Sequence, residues 1–509
     1  MTEIKPKLIN KVSISKRFIS SFTNNILRTI ISFITGFLIA RFLGPEDYGR
    51  MAFLIASFMA IKQLLDMATS EAFFTFISRK QRSAYFVNLF WRWIAIQLVI
   101  SIVIVGLVLP ENIISSIWEG ESKWLVLIAL IAGFMQNTIW PIASQMAEAQ
   151  RETIKVQKLA TVVISIHFFV VIFLWFFELF VIPLLLSAMA IEWAMASWLA
   201  ARMYKKSDSL NSRDADTIQS VWGEFWQYCL PFIPYAWLGF AHDLADRWML
   251  QHWSGSVEQA YYAVSRSFSL IVLVATSSIL NIFWKEISEA QHNGDHKLVK
   301  DLYHKVVKIL YLLGALVAGA MFPWASEILL LTVGERYLDA SLPMMVMLLY
   351  PVHQSLGQIS SSFLLASGNQ KAQVVIGIPF MLISFLVAYF MLAPSNMVIP
   401  GLQLASSGLA LKMVIMQLIQ VNIIMWWIAR VFKWKFDWSS QFIILALTIF
   451  FGLVLKSLVV IFFQLPMIFL MILYGLFYLI LVISILYFKP SIFGYRKDEF
   501  KDVLNFDSI

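Results

Sequence analysis

The run ISSFTNNILRTIISFITGFLIA, residues 19–40, is long and apolar enough to cross a lipid bilayer as one α-helix. It leads directly into RFLGPEDYG, residues 41–49, without the small-residue pattern at which signal peptides are cleaved. The run is therefore predicted to be a retained membrane helix rather than a signal peptide.

Apolar stretches of helical length continue along the rest of the chain. The composition agrees with this pattern, because 60% of the residues are apolar and 14% are charged, against about 25% charged in a soluble domain. We predict an all-α polytopic membrane protein with about 14 transmembrane helices. They are 19–40, 49–77, 92–109, 124–147, 159–177, 180–200, 223–247, 258–283, 309–331, 342–366, 372–393, 400–428, 440–462 and 466–488.

Lysine and arginine are unevenly distributed among the gaps between these helices. Most of the 39 lie in the two tails and in the gaps after even-numbered helices. The gaps after odd-numbered helices hold few, among them Arg41, Lys123 and Arg336. Because positive charge accumulates on the cytoplasmic side, both termini are predicted to be cytoplasmic. The net charge of +8 is then explained by anionic lipids at that face, and not by binding of nucleic acid.

Three short turns in the first half of the chain recur in the second half at nearly constant offsets of 211, 214 and 218 residues. They pair Gly44 with Gly255, Gly120 with Gly334, and Gln150 with Gly368. The pattern predicts two six-helix lobes of the same orientation, with the substrate site near the membrane midplane between them. The predicted domains are an N-terminal lobe in 1–200, a cytoplasmic linker in 201–222, a C-terminal lobe in 223–428, and two additional helices with a cytoplasmic tail in 429–509.

Four cations fall at bilayer depth, where each charge costs about 2.5–3.5 kcal/mol on insertion scales. Arg28 lies on a polar stripe at helical spacing that includes Asn24 and Asn25. Lys62, Arg266 and Lys412 fall at comparable depths. Arg and Lys can hold a diphosphate, and amides can bind sugar hydroxyls. The predicted substrate-binding residues are therefore Arg28, Asn24, Asn25, Lys62, Arg266 and Lys412.

Structural explanations compete with this prediction. Lys62 and Asp66 are four residues apart on one helix and could form an ion pair. Arg266 and Lys412 could pair with Glu192 or with backbone carbonyls. Lys456, near a helix end, is predicted to extend toward the interface. Carboxylates within or near apolar stretches could instead couple transport to H⁺ or Na⁺, and Asp66, Glu192 and Asp243 are the candidates.

Features of an enzyme are missing from the sequence. It has no glycine-rich phosphate loop, no His/Cys metal spacing and no nucleophile elbow, and its outward gaps are too short to fold alone. We expect no catalytic residue, no metal site and no cofactor. An integral glycosyltransferase or acyltransferase remains the enzymatic alternative.

The run IARFLGPEDYG, residues 39–49, resembles the R-x-L-G-P-x-x-Y-G signature of the polysaccharide transporter family. Pro231 and Pro234, followed by Asp246, also fit that family over the first twelve helices, whereas Tyr261-Tyr262 departs from its usual Gly-x-Tyr. The resemblance identifies the chain as similar to Wzx-type flippases of the multidrug/oligosaccharidyl-lipid/polysaccharide (MOP) exporter superfamily.

This resemblance implies a V-shaped, MATE-like pair of lobes in the bacterial inner membrane. It further implies outward movement of an undecaprenyl-pyrophosphate-linked oligosaccharide, such as an O-antigen or other surface polysaccharide repeat unit of lipopolysaccharide biosynthesis. Polysaccharide polymerase and chain-length proteins are the implied partners. A flippase for peptidoglycan precursor and a multidrug/cation antiporter of the same superfamily are the alternatives.

Overall fold

The computed structural model describes residues 14–79, 82–150, 152–204, 217–435 and 438–493. These residues are mostly helical and contain no β-strand, which confirms the predicted all-α membrane fold. Ten helical segments among the described residues are long and apolar enough to span a membrane. The predicted number of 14 transmembrane helices remains a prediction.

The chain divides into two compact units, Met1–Leu43 with Met51–Leu244 and Gly44–Arg50 with Ala245–Ile509. The predicted lobe and linker boundaries, and the V shape, remain predictions. The first unit takes most of α1 (Ile14–Asp66) and the start of α10 (Ile233–His292). Between them it contains α2 (Thr69–Arg79), α3 (Ala84–Val103), α4 (Glu111–Ile117), α5 (Lys123–Phe134), α6 (Trp140–Ala149), α7 (Thr153–Phe176), α8 (Ile182–Met203) and α9 (Ile218–Cys229).

The second unit contains the remainder of α10 and all later helices. These are α11 (His296–Met321), α12 (Ala325–Thr332), α13 (Ser341–Met347), α14 (Tyr350–Ala366), α15 (Gln370–Leu392), α16 (Ala405–Val431), α17 (Ser439–Phe462) and α18 (Met467–Phe488). Two π-helical turns, Ile104–Val108 and Met135–Ile139, and four 3₁₀ turns, Leu230–Phe232, Phe322–Trp324, Glu335–Ala340 and Pro490–Phe493, complete the helical elements.

Two pairs of predicted helices are each joined in one element that is kinked at a glycine. Helices 19–40 and 49–77 join in α1 at Gly44 (φ 76°), and helices 223–247 and 258–283 join in α10 at Gly255 (φ 85°). Gly120 and Gly334 also have positive φ. Glycine adopts this conformation without the steric cost that a side chain imposes, so two of the three matched turns recur in the backbone. The third does not, because Gln150 has φ −90° and Gly368 has φ 72°.

The predicted helix 49–77 is wrong at its C-terminal end. The helix stops at Asp66, because Met67 (φ 44°) and Ala68 (φ 65°) adopt left-handed conformations, and α2 begins at Thr69. The Asp66 carboxylate accepts hydrogen bonds from the Thr69 hydroxyl at 3.0 Å and from the Ser70 amide at 2.8 Å. These bonds satisfy donors at the start of α2. Asp66 is thereby part of a helix break.

The two C-terminal membrane helices pack closely on the rest of the second unit. The Tyr311 hydroxyl on α11 donates to the Gln441 carbonyl at 2.7 Å. A Cβ placed on Gly452 of α17 would lie 2.3 Å from the carbonyl oxygen of Gly319 on α11. Because such a distance admits only glycine, the backbones of α11 and α17 touch directly.

A second close approach involves Gly49, the last residue of the RFLGPEDYG run. A Cβ on Gly49 would lie 1.8 Å from the carbonyl oxygen of Ser256 on α10, a contact within the second unit. We expect Gly49→Ala to lower the thermal unfolding temperature in detergent, because the backbones must separate to admit the methyl group. Gly36→Ala is the matched control, since a Cβ on Gly36 meets no atom within 4 Å. Equal unfolding temperatures for Gly49→Ala and the wild type would refute this close packing.

Candidate functional site

Arg28 lies on α1 in the first unit, half-buried, where it interacts electrostatically with Glu148 at the end of α6. The side-chain amide of Gln157 on α7 also contacts Glu148, with 3.5 Å between Nε2 and Glu148 Oε1. Three helices therefore meet at one Arg–carboxylate site. Glu148 could not be identified from the sequence as the partner of Arg28, because the two residues lie far apart along the chain.

Amide side chains with unused hydrogen-bonding capacity belong to the same three helices. The buried oxygens of Asn25, one turn before Arg28, Gln145, one turn before Glu148, and Gln157 have no hydrogen-bond partner among the described residues. Leaving such a buried acceptor unpaired costs about 1–3 kcal/mol. Asn24 is half-buried beside them on α1. We refer to Asn25, Arg28, Gln145, Glu148 and Gln157 as the Arg28 cluster.

Lys62 lies farther along α1 and borders a small cavity with Ser101 and Thr138. Among the described residues it forms no ion pair with Asp66, so the structural explanation weighed for Lys62 is wrong for this conformation. The Thr138 hydroxyl is buried there and has no partner in the part of the chain that the structure describes. Lys62 thus remains available to an anionic ligand, and its substrate-binding role remains a prediction.

Two of the candidate coupling carboxylates have neutral or titratable partners in the first unit. The distance between Glu192 Oε2 on α8 and His167 Nδ1 on α7 is 2.8 Å, and the Glu192 side chain is 9% exposed. Asp243 accepts a 2.7 Å hydrogen bond from the Gln63 amide and lies 3.1 Å from His242 Nδ1. Ion coupling by Asp66, Glu192 or Asp243 remains a prediction.

Lys412 forms a buried ion pair in the second unit. Its Nζ donates to Asp246 Oδ2 at 2.6 Å, and Lys412 is 0% exposed. The neighbouring Arg247 guanidinium lies 4.4 Å from the centre of the Tyr262 ring. The sequence suggested Glu192 or a backbone carbonyl as the partner of Lys412. The structure instead shows a contact with Asp246, an acid on α10. Its role in substrate binding is still a prediction.

The other second-unit cations differ from Lys412. Arg266 on α10 is exposed and has no ion pair among the described residues, so its predicted ligand contact stays open. Lys456 donates to Glu327 at 2.5 Å and to the Pro323 carbonyl at 2.7 Å. Lys456 thus contacts α12, and its extension toward the interface remains a prediction. Within the described ranges no group of three or more potential metal-binding side chains occurs.

The chain is similar to one protein family and to several solved structures. The family model described as "Polysaccharide biosynthesis protein" matches residues 14–283. The lipid II flippase MurJ in an inward closed conformation aligns with a TM-score of 0.71 and 15% identity, over 92% of this chain and 99% of that one.

Two conformations of a multidrug resistance MATE family transporter of the MOP superfamily also align. The inward-facing one has a TM-score of 0.59 and 14% identity, and the outward-facing one 0.54 and 12%. Each alignment covers 82% of this chain. It includes 98% of the inward-facing structure and 95% of the outward-facing structure. No curated protein matches the sequence. At these identities, the structural similarities establish the fold.

Proposed function

Because the chain belongs to the family of polysaccharide biosynthesis proteins, we propose that it is a flippase for an undecaprenyl-pyrophosphate-linked oligosaccharide. In this proposal the protein lies in the inner membrane with both termini in the cytoplasm, and it carries an O-antigen or another surface polysaccharide repeat unit outward. The single observation that carries the proposal is the Arg28 cluster, which combines a fork-shaped cation with amide oxygens that have no hydrogen-bond partner among the described residues.

The chemistry of the Arg28 cluster fits a charged headgroup with sugars attached. A guanidinium can hold two phosphate oxygens at once, and the free oxygens of Asn25, Gln145 and Gln157 can accept hydrogen bonds from sugar hydroxyls. Glu148 offsets the charge of Arg28 while the site is empty. A diphosphate that displaces Glu148 is neutralised by Arg28. This neutralisation lowers the free-energy cost of moving the negative charge across the membrane.

The remaining steps follow the plan of alternating access. The headgroup enters from the cytoplasmic side, is bound by Arg28 with help from Lys62, and leaves after the protein opens outward. The cargo is then available to a polymerase and to chain-length proteins, which are the proposed partners. No step makes or breaks a covalent bond in the substrate.

The test of this function is mass spectrometry of lipid extracts from the host with and without the gene. We expect an undecaprenyl-pyrophosphate oligosaccharide to accumulate in the deletion strain and to return to normal when the gene is restored. Accumulation of the peptidoglycan lipid precursor would replace the proposed cargo with that of a lipid II flippase, a reading favoured by the fold similarity to MurJ. An unchanged lipid pool with intact surface glycans, together with transport of a cationic dye by the purified protein, would support the antiporter alternative.

A further inference from the structure

The first unit contains a cavity of about 530 Å³ between the break after α1, helix α3 and helix α9. Its walls are formed largely by aromatic rings, those of Trp93, Trp222, Phe225 and Trp226. Pockets of about 300–1,000 Å³ lined by apolar and aromatic side chains are typical of ligand sites.

The sequence of α9 keeps this space open. Val221, Phe225 and Cys229 form its buried face, and Phe225 stacks on Phe86 and Phe90 with 5.6 Å between ring centres. Gly223 also lines the cavity, and a Cβ placed on it meets no atom within 4 Å. Glycine in a helix costs about 1 kcal/mol relative to alanine, and here it leaves empty space in place of a side chain.

The opposite wall is the strained break between α1 and α2. Met67, one of the two residues with left-handed φ, lines the cavity together with Thr69. The Thr69 hydroxyl already donates to Asp66, so it offers no free donor to a ligand. Strained backbone of this kind is concentrated at ligand-binding and switching sites. The wall is therefore apolar in effect, and it coincides with an interruption between two helices that the sequence did not predict.

A charged side chain lies close to this wall along the same helix. Lys62 lies on α1 four residues, about 6 Å, before the helix end at Asp66, and it has no ion-pair partner among the described residues. With the termini cytoplasmic, as proposed, the cavity lies in the inner-leaflet half of the membrane, since Trp93 follows the Ser83 N-cap of α3 by ten residues, about 15 Å. A polyprenyl diphosphate, which joins a charged group to a long apolar chain, has the matching arrangement.

We infer that this cavity binds the polyprenyl chain of the lipid-linked substrate while its headgroup is at the Lys62 and Arg28 side chains. This inference rests on the proposed flippase function. The aromatic rings contact the unsaturated hydrocarbon and shield it from the polar cluster. The bidentate Arg82–Glu224 ion pair, at 2.5 and 3.2 Å, connects the start of α3 to α9 and keeps the walls together.

The test fills the cavity without disturbing the fold. Gly223→Leu places a side chain in open space and improves helix propensity, so the variant should be at least as stable as the wild type. Gly475→Leu on α18 is the matched control, since a Cβ there also meets nothing within 4 Å. The probe is undecaprenol, which has the chain and no phosphate, added to purified full-length protein. We expect it to raise the unfolding temperature of wild type, Gly475→Leu and Arg28→Ala, and the rise to vanish in Gly223→Leu.

Other outcomes separate this inference from the flippase function. An undecaprenol-dependent rise that persists in Gly223→Leu would overturn the cavity assignment, whatever the result of the lipid-extract experiment. An equal rise with phosphatidylglycerol, lost in the same variant, would also overturn it, because the cavity would then hold an ordinary membrane lipid. If the lipid extracts are unchanged on deletion but undecaprenol binding depends on Gly223, the cavity stands and the proposed transport direction or cargo fails.

Discussion

Arg28→Ala is expected to reduce export of the lipid-linked glycan by at least about 30-fold. In the proposed complex Arg28 and the diphosphate form a hydrogen-bonded charge pair. Removing one partner of such a pair costs about 2–5 kcal/mol, and each 1.4 kcal/mol corresponds to a factor of ten. Export by Arg28→Lys should fall between that of the wild type and that of Arg28→Ala, because lysine keeps the positive charge but lacks the forked guanidinium. The measurement is the amount of accumulated lipid-linked oligosaccharide in a deletion strain that carries each variant at equal protein level.

Two further variants show why activity is lost. Arg28→Ala leaves the Glu148 carboxylate without its cation, so the double variant Arg28→Ala/Glu148→Gln removes that charge as well. If Arg28 binds the headgroup, the double variant stays inactive. Recovery of export in the double variant would mean that Arg28 only balances Glu148. Lys155→Ala is the control, since Lys155 is 65% exposed on α7 and pairs with Glu152 at 2.9 Å, and its export should be unchanged.

Lys412→Met is expected to destabilise the protein by about 3–5 kcal/mol. The Lys412–Asp246 pair is buried, and removal of one partner leaves an uncompensated charge in a low-dielectric environment. The double variant Lys412→Met/Asp246→Asn should regain most of the loss, because two neutral groups carry no such penalty. The measurement is the unfolding transition of purified protein in detergent.

Lys155→Met is the control for this stability measurement. Lys155→Met changes an exposed cation, and surface substitutions of this kind usually alter stability by no more than about 0.5 kcal/mol. If Lys412→Met unfolds at the wild-type temperature but loses export, Lys412 acts on the substrate, as the sequence analysis predicted, and its pair with Asp246 contributes little to folding.

The membrane fold could be predicted because its signals are local. Apolar runs of spanning length and the glycines of the repeated turns are visible along the chain, and Gly44 and Gly255 mark the two kinks. The break at Met67 and Ala68 could not be predicted, because no local signal in the sequence marks it. Methionine and alanine are strong helix formers, and an aspartate such as Asp66 also occurs within uninterrupted helices, so it does not by itself indicate a break.

The candidate site was predictable only in part. The polar stripe around Arg28 is visible at helical spacing, because α1 carries it on consecutive turns. Glu148 reaches Arg28 through tertiary packing, and the polar stripe around Arg28 does not indicate which distant residue lies opposite it. The same limit applies to Lys412 and Asp246, which are separated by 166 residues. The sequence identifies the charged residues that are predicted to lie at bilayer depth, whereas the folded structure is needed to identify their partners.

Reconstitution of the purified protein into vesicles tests the central claim most directly. A polyprenyl-diphosphate-linked glycan is placed in the membrane, and its movement is followed as the appearance of glycan that an impermeant glycosidase can cleave on the opposite side. The account predicts movement well above that of protein-free vesicles with the wild type, and movement at the protein-free level with Arg28→Ala. Wild-type vesicles indistinguishable from protein-free ones, or equal movement by Arg28→Ala, would contradict it.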